Sequence, residues 1–174
     1  MARPIVGSID LSPVRCLVVD DNAHMRKLTA TILYGLGIKD IREAASGDAA
    51  IKVLDEFPAD IVILDWVMAP EDGITFTRRI RSKTESPNPF LPIIMLTGHT
   101  ERKHIEEARD AGITEFLSKP VSVKGLAQRI LSIIDKPRPY VRNSNYFGPN
   151  RRRHDDPKYA GTDRRLRADA SAPG

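Results

Sequence analysis

CLVVDDN, residues 16–22, carries four consecutive apolar residues straight into two carboxylates. A run of that kind reads as a strand buried on both faces of a parallel sheet, with Asp20 and Asp21 where the strand ends. The pattern recurs three times. IVIL at 61–64 ends in Asp65, IIML at 93–96 ends in Thr97, and EFLS at 115–118 ends in Lys119 and Pro120. In an open α/β sheet the carboxyl ends of the strands line one crevice, so these polar residues are expected to meet there.

Segments of helical period fill the intervals. Over 23–34, Met25, Leu28, Ile32 and Leu33 share one stripe, and Gly35 and Gly37 stop it. Residues 47–57 repeat the pattern with Ala50, Ile51 and Leu54, ending before Pro58; 74–81, 101–111 and 123–134 supply three more. Strand and helix alternate five times. That order predicts an α/β fold: a doubly wound, five-stranded parallel sheet with right-handed crossovers. The expected boundaries are an N-terminal extension over 1–12, the folded unit over 13–135 and a tail over 136–174.

Three clustered carboxylates stay charged side by side only when a cation is shared among them, and an all-oxygen donor set suits Mg²⁺. Lys119 adds a point charge and Thr97 a hydroxyl. Together with the metal they can neutralise the three equatorial oxygens of a transferring phosphoryl group. Asp65 is the expected nucleophile, forming an aspartyl phosphate. Any one such Asp alone reads more simply as a helix cap or turn former. Four successive strand ends carrying this set do not.

VVDDN, LDWVM with Gly73 downstream, LTG and SKP together resemble the receiver domain of two-component response regulators, of the CheY type, a flavodoxin-like fold. The resemblance implies that Asp20, Asp21, Asp65 and the backbone carbonyl of Val67 hold Mg²⁺. It also implies that Thr97 and Lys119 contact the phosphoryl group on Asp65, that Thr97 and Phe116 form the switch, and that Lys119-Pro120 is cis. A sensor histidine kinase is the implied phosphodonor. The protein is then a phosphoacceptor, not an enzyme acting on a separate substrate. Two features depart from the family: Ala69, with Pro70 after it, stands where the family carries Pro, and Val67 and His99 occupy positions whose side chains tune loss of the phosphoryl group. His24 and His104 read as surface residues.

At 174 residues and 41% hydrophobic, the chain can bury one core of ordinary size. The lone Cys16 lies in an apolar run and reads as a small buried hydrophobe. There is no signal-peptide pattern and no apolar stretch long enough to span a membrane, so a cytoplasmic protein is expected.

From Lys136 onward there are ten Lys or Arg against four Asp, so the basic character of the whole chain belongs to its tail and the body before it is acidic. Proline, asparagine, glycine and arginine dominate the tail, and a mostly disordered segment is expected. It nevertheless contains a repeat. Tyr146-x-Gly148-x-Asn150-Arg151-Arg152 is echoed in register by Tyr159-x-Gly161-x-Asp163-Arg164-Arg165. A duplicated unit suits a ligand with two equivalent halves. Guanidinium groups pair bidentately with phosphate or guanine, and aromatic rings offer stacking surfaces. The tail resembles the arginine-rich extension of the CheY-like Cle proteins. That resemblance implies cyclic di-GMP as ligand, bound by Arg138, Arg142, Tyr146, Gly148, Asn150, Arg151, Arg152, Arg153, Tyr159, Gly161, Asp163, Arg164, Arg165 and Arg167, and the flagellar motor switch as target. The competing reading is a basic arm that contacts nucleic acid nonspecifically.

Overall fold

Three of the four runs, at 16–19, 61–64 and 93–96, become the central strands, because a parallel sheet covered by helices on both faces favours unbroken apolar sequence there; the fourth, EFLS, forms an edge of the sheet. The computed structural model describes residues 9–98 and 102–151. Its order is β1 (Arg15–Val19), α1 (Ala23–Gly35), β2 (Asp40–Ala44), α2 (Gly47–Glu56), β3 (Ile61–Asp65), α3 (Gly73–Arg81), β4 (Ile93–Thr97), α4 (Arg102–Ala111), β5 (Glu115–Ser118) and α5 (Val123–Asp135). The five strands are parallel in the order β2-β1-β3-β4-β5.

Alternate strand residues feed two cores. Leu17, Val19, Val62, Leu64, Ile93 and Met95 face the side covered by α2, α3 and α4, where Leu54, Ile74, Phe76 and Ile80 meet them. Cys16, Val18, Ile61, Ile63, Ile94 and Leu96 face the other side, under Leu33 of α1 and Leu126 and Ile130 of α5. Burying a side chain of this size contributes roughly 1.5 to 3 kcal/mol. Both faces are therefore needed, and the helices divide between them.

Helix starts follow local chemistry. Asn22, Ser46, Asp72 and Ser122 cap α1, α2, α3 and α5, each side chain accepting a hydrogen bond from a first-turn amide. Of the five parallel strands, β2 is the one with no apolar run in the sequence. It lies at the sheet edge, where DIREA leaves only Ala44 buried.

The expectation of a disordered segment from Lys136 is corrected over 136–151. Here β6 (Tyr140–Asn143) and β7 (Tyr146–Pro149) form an antiparallel hairpin against the N-terminal end of β4 and β5 and the ends of α3 and α4. Aliphatics are scarce, as the composition says, but aromatic rings replace them. Phe90 packs edge to face on Tyr140 and on Phe147, with centroids 5.3 and 5.1 Å apart, and Tyr140 and Phe147 meet at a tilt with centroids 5.8 Å apart. The Tyr140 ring lies 5.3 Å from the guanidinium of Arg81. That guanidinium is buried and donates to the carbonyls of Gly112, Pro89 and Leu91 at 2.8 to 3.1 Å. Gly112, at φ 101°, turns the chain out of α4, and a side chain there would strike Arg81. The second repeat, at 159–165, lies outside the described residues.

Candidate functional site

Parallel pairing in register brings the strand ends together. Asp20 follows β1, Asp65 closes β3, Thr97 closes β4 and Lys119 follows β5. Asp20, Asp21 and Asp65 each place a carboxylate oxygen within 4.8 Å of the others. Among the described residues this is the one acidic trio close enough to share a metal ion. Asp20 and Asp65 are 2% and 4% exposed, whereas Asp21 faces solvent.

The carboxylates are oriented by backbone. Asp20 accepts from the Asn22 amide at 2.8 Å through one oxygen, while its other oxygen is buried without a hydrogen-bond partner. Asp21 accepts from the Ala69 amide at 3.0 Å, which ties it to the loop after β3. Lys119 Nζ stands 2.6 Å from Asp65 Oδ1, a contact of charge with charge. Burial, reinforced by the charges of Asp65 and Asp21, holds the Asp20 carboxyl above the ordinary aspartate range, against the opposing pull of the Asn22 amide and Lys119. A buried carboxylate in that condition, with an orphaned oxygen and two acidic neighbours, fits a hard divalent cation.

The remaining residues named from the sequence also find places. Thr97 is buried beside Ser118, and its carbonyl accepts from the Lys119 amide at 2.9 Å. Lys119-Pro120 is cis, and so is Ala69-Pro70. Val67 lies in the loop beyond Asp65 with its side chain 62% exposed. Phe116 is half-buried and packs on the α2–α4 side of the core. His24 is exposed as expected, whereas His104 is half-buried, its ring edge-on to Trp66 at 5.7 Å. His99 lies outside the described residues.

Several contributors were not legible as such. Arg26 donates to the carbonyl of Asp20 at 2.8 Å, so it braces the acidic turn from within α1. Gly73 donates to the Trp66 carbonyl at 2.8 Å, and a Cβ there would lie 2.5 Å from the carbonyl oxygen of Asp65. The glycine is what lets α3 start this close to the acceptor. Its place in the sequence motif was visible, but that reason was not.

In the hairpin, Arg138 donates to the carbonyls of Thr114 and Asn150, and Gly148 packs against Gly112 with no room for a side chain. Tyr146 donates its hydroxyl to the Pro149 carbonyl. Arg151 pairs with Asp110 at 2.9 Å and lies 4.3 Å over the Tyr146 ring, and Arg142 lies 4.4 Å over Phe147. Arg152, Arg153, Tyr159, Gly161, Asp163, Arg164, Arg165 and Arg167 lie outside the described residues.

An open α/β sheet whose strand ends converge an acidic trio, a hydroxyl and a lysine defines a response regulator receiver. The response regulator receiver domain model matches residues 16–131, and the chain belongs to that family. The chemotaxis protein CheY-3 of Vibrio cholerae is 31% identical over 123 residues, 71% of this chain and 93% of that protein. The transcriptional regulatory protein PdtaR of Mycobacterium tuberculosis is 33% identical over 130 residues, covering 75% of this chain and 61% of its own length. The receiver domain of the histidine kinase CKI1 from Arabidopsis thaliana, solved with Mg²⁺ and BeF₃⁻, superposes with a TM-score of 0.65 at 32% identity, over 75% of this chain and 97% of that one. The family match ends before the hairpin. No helix among the described residues is long and apolar enough to cross a membrane.

Proposed function

We propose that this receiver accepts a phosphoryl group on Asp65 from a sensor histidine kinase, in a chemotaxis-type two-component pathway. The observation that carries the reading is Lys119 Nζ at 2.6 Å from Asp65 Oδ1, inside a trio of carboxylates. Asp20, Asp21, Asp65 and the carbonyl of Val67 are the proposed Mg²⁺ ligands. When bound, the ion supplies positive charge to the phosphoryl oxygens. An Asp65 carboxylate oxygen forms the new bond to phosphorus while the donor's bond to phosphorus breaks. Lys119 and the Thr97 hydroxyl then contact the oxygens left on the acceptor. Phe116, on the strand that leads to Lys119, is the proposed element that reports the change, and the flagellar motor switch is a proposed target.

The arginine-rich tail is proposed to read cyclic di-GMP. Two guanidinium-on-aromatic stacks, Arg142 on Phe147 and Arg151 on Tyr146, support this, as does an open groove of about 320 Å³ lined by Asp110, Asn143, Asn145, Tyr146 and Arg151. Arg138 is set apart from the other proposed contacts because its donors already serve the hairpin.

Both parts are tested on the whole protein. Incubation with acetyl phosphate and Mg²⁺ should add the mass of one phosphoryl group, and Asp65→Asn should abolish the gain. A mutant that still gains the full mass would refute Asp65 as acceptor. Calorimetry with cyclic di-GMP should show saturable binding with modest salt dependence. Binding that single-stranded nucleic acid displaces and that weakens steeply with salt would identify a basic arm instead.

A further inference from the structure

Arg79, on α3, gathers three carboxylates from three different segments. Its guanidinium pairs with Asp48 of α2 at 2.9 Å, with Glu85 beyond α3 at 3.2 Å, and with Glu71 of the loop between β3 and α3. Glu71 is mostly buried, and its carboxylate occupies the space above Gly47 that any side chain there would need. That position is the N-terminus of α2, where exposed amides and the helix dipole favour an anion. Glu71 is thus held from two sides.

The loop it anchors is the one that reaches the acidic trio. Trp66 and Met68 plug the core at 7% and 8% exposure, and the Ala69 amide between Met68 and Glu71 donates to Asp21. Asp21 is the solvent-facing member of the trio, and no other hydrogen bond to its carboxylate competes with that amide among the described contacts. We infer that Arg79 is a positioning residue for the acidic site: through Glu71 it fixes the loop over residues 66–72, and through the Ala69 amide the loop fixes the Asp21 carboxylate. Groups that orient a metal ligand from behind typically cost 10- to 100-fold in metal affinity when removed. In Arg79→Ala the loss of the guanidinium charge acts the opposite way. A freed carboxylate some distance from the site would attract Mg²⁺, but across solvent that attraction is screened to a small fraction of the loss. The inference rests on the proposed Mg²⁺ site.

Trp66 is the only tryptophan in the chain and adjoins Asp65, so its fluorescence can follow a Mg²⁺ titration. Arg79→Ala and Glu71→Gln should each weaken Mg²⁺ about tenfold, and Arg79→Lys, which keeps charge but not the planar fork, should fall between. Gly47→Ala, which changes no charge, should displace the Glu71 carboxylate and weaken Mg²⁺ in the same direction. Glu85→Gln removes a different partner of Arg79 and should leave the affinity within twofold. Hydrogen exchange should show faster loss of the Ala69 amide proton in Arg79→Ala than in the parent. If Arg79→Ala lowers the melting temperature but leaves both the Mg²⁺ affinity and the Ala69 exchange unchanged, Arg79 is merely structural and the inference falls. If the parent protein shows no response to Mg²⁺ at millimolar concentration, the metal site itself falls first.

Discussion

Lys119 Nζ reaches 2.6 Å from Asp65 Oδ1 across an intervening strand, since β4 separates the strand that ends in Asp65 from the one that leads to Lys119. The ammonium is then the only side-chain cation in direct contact with the acidic trio among the described ion pairs. Lys119→Ala should slow phosphorylation by acetyl phosphate 10²- to 10³-fold, roughly what loss of one charge-stabilising donor costs. The same variant should depend more on Mg²⁺ for its melting temperature than the parent does. Mass spectrometry over time and thermal melts with and without Mg²⁺ would check both.

Asp20 carries a sign that can be worked out. Burial is the largest cause of its raised pKa, so the folded protein holds that proton more tightly than the unfolded chain does. The resulting penalty is absent below the ordinary aspartate value of about 3.9. It grows as pH rises toward the raised folded value and is complete above it. Asp20→Asn should therefore raise the melting temperature by a few degrees at pH 7 without Mg²⁺. The gain should shrink toward pH 4, and added Mg²⁺ should stabilise the variant less than the parent. A variant less stable than the parent at pH 7 would contradict the assignment.

Gly73→Ala should damage the acceptor from behind. The new methyl would lie 2.5 Å from the Asp65 carbonyl oxygen and 3.1 Å from the Trp66 Cα, and backbone cannot rotate away as a side-chain end can. Forced overpacking of this kind costs about 1 to 3 kcal/mol. Urea denaturation should show that loss, with phosphorylation slowed as Asp65 is displaced.

Tyr140→Ala should separate the hairpin from the body. It removes the ring over the buried Arg81 guanidinium and one of three interlocked aromatics, and truncations of large aromatics cost about 3 kcal/mol or more. The same loss should follow truncation of the chain after residue 135. Equal stability of the truncated and full chains would mean that the hairpin is an appendage.

The two tail arginines should behave differently. Arg142→Ala, which removes an exposed guanidinium lying over the half-buried Phe147 ring, should reduce cyclic di-GMP affinity by about 1 to 3 kcal/mol with little change in stability. Arg138→Ala should chiefly lower stability, since it leaves the carbonyls of Thr114 and Asn150 without their donor contacts. Calorimetry and urea denaturation on both variants would check the contrast.

Sequence by itself determined the parallel sheet, because runs such as IVIL and IIML are apolar without alternation, and only a strand covered on both faces tolerates that. It determined the crevice too. A residue that ends a buried strand has one place to go, so Asp20, Asp65, Thr97 and Lys119 were tied to each other by topology before any distance was known. What it could not give was whatever depends on partners distant in the chain. DIREA became a strand because an edge was open beside β1, and nothing in its own pattern required it. The segment 136–151 folded because Phe90, Arg81 and Gly112 offered a surface that its aromatic residues complete, although its composition alone argues against a core. Glu71 is an acid in the loop after β3, and its burial is decided by Arg79 and the N-terminus of α2, neither of which adjoins it in sequence. Local pattern specifies which residues are buried or end an element, whereas ion pairs and close backbone approaches are set by side chains that meet only after the chain has folded.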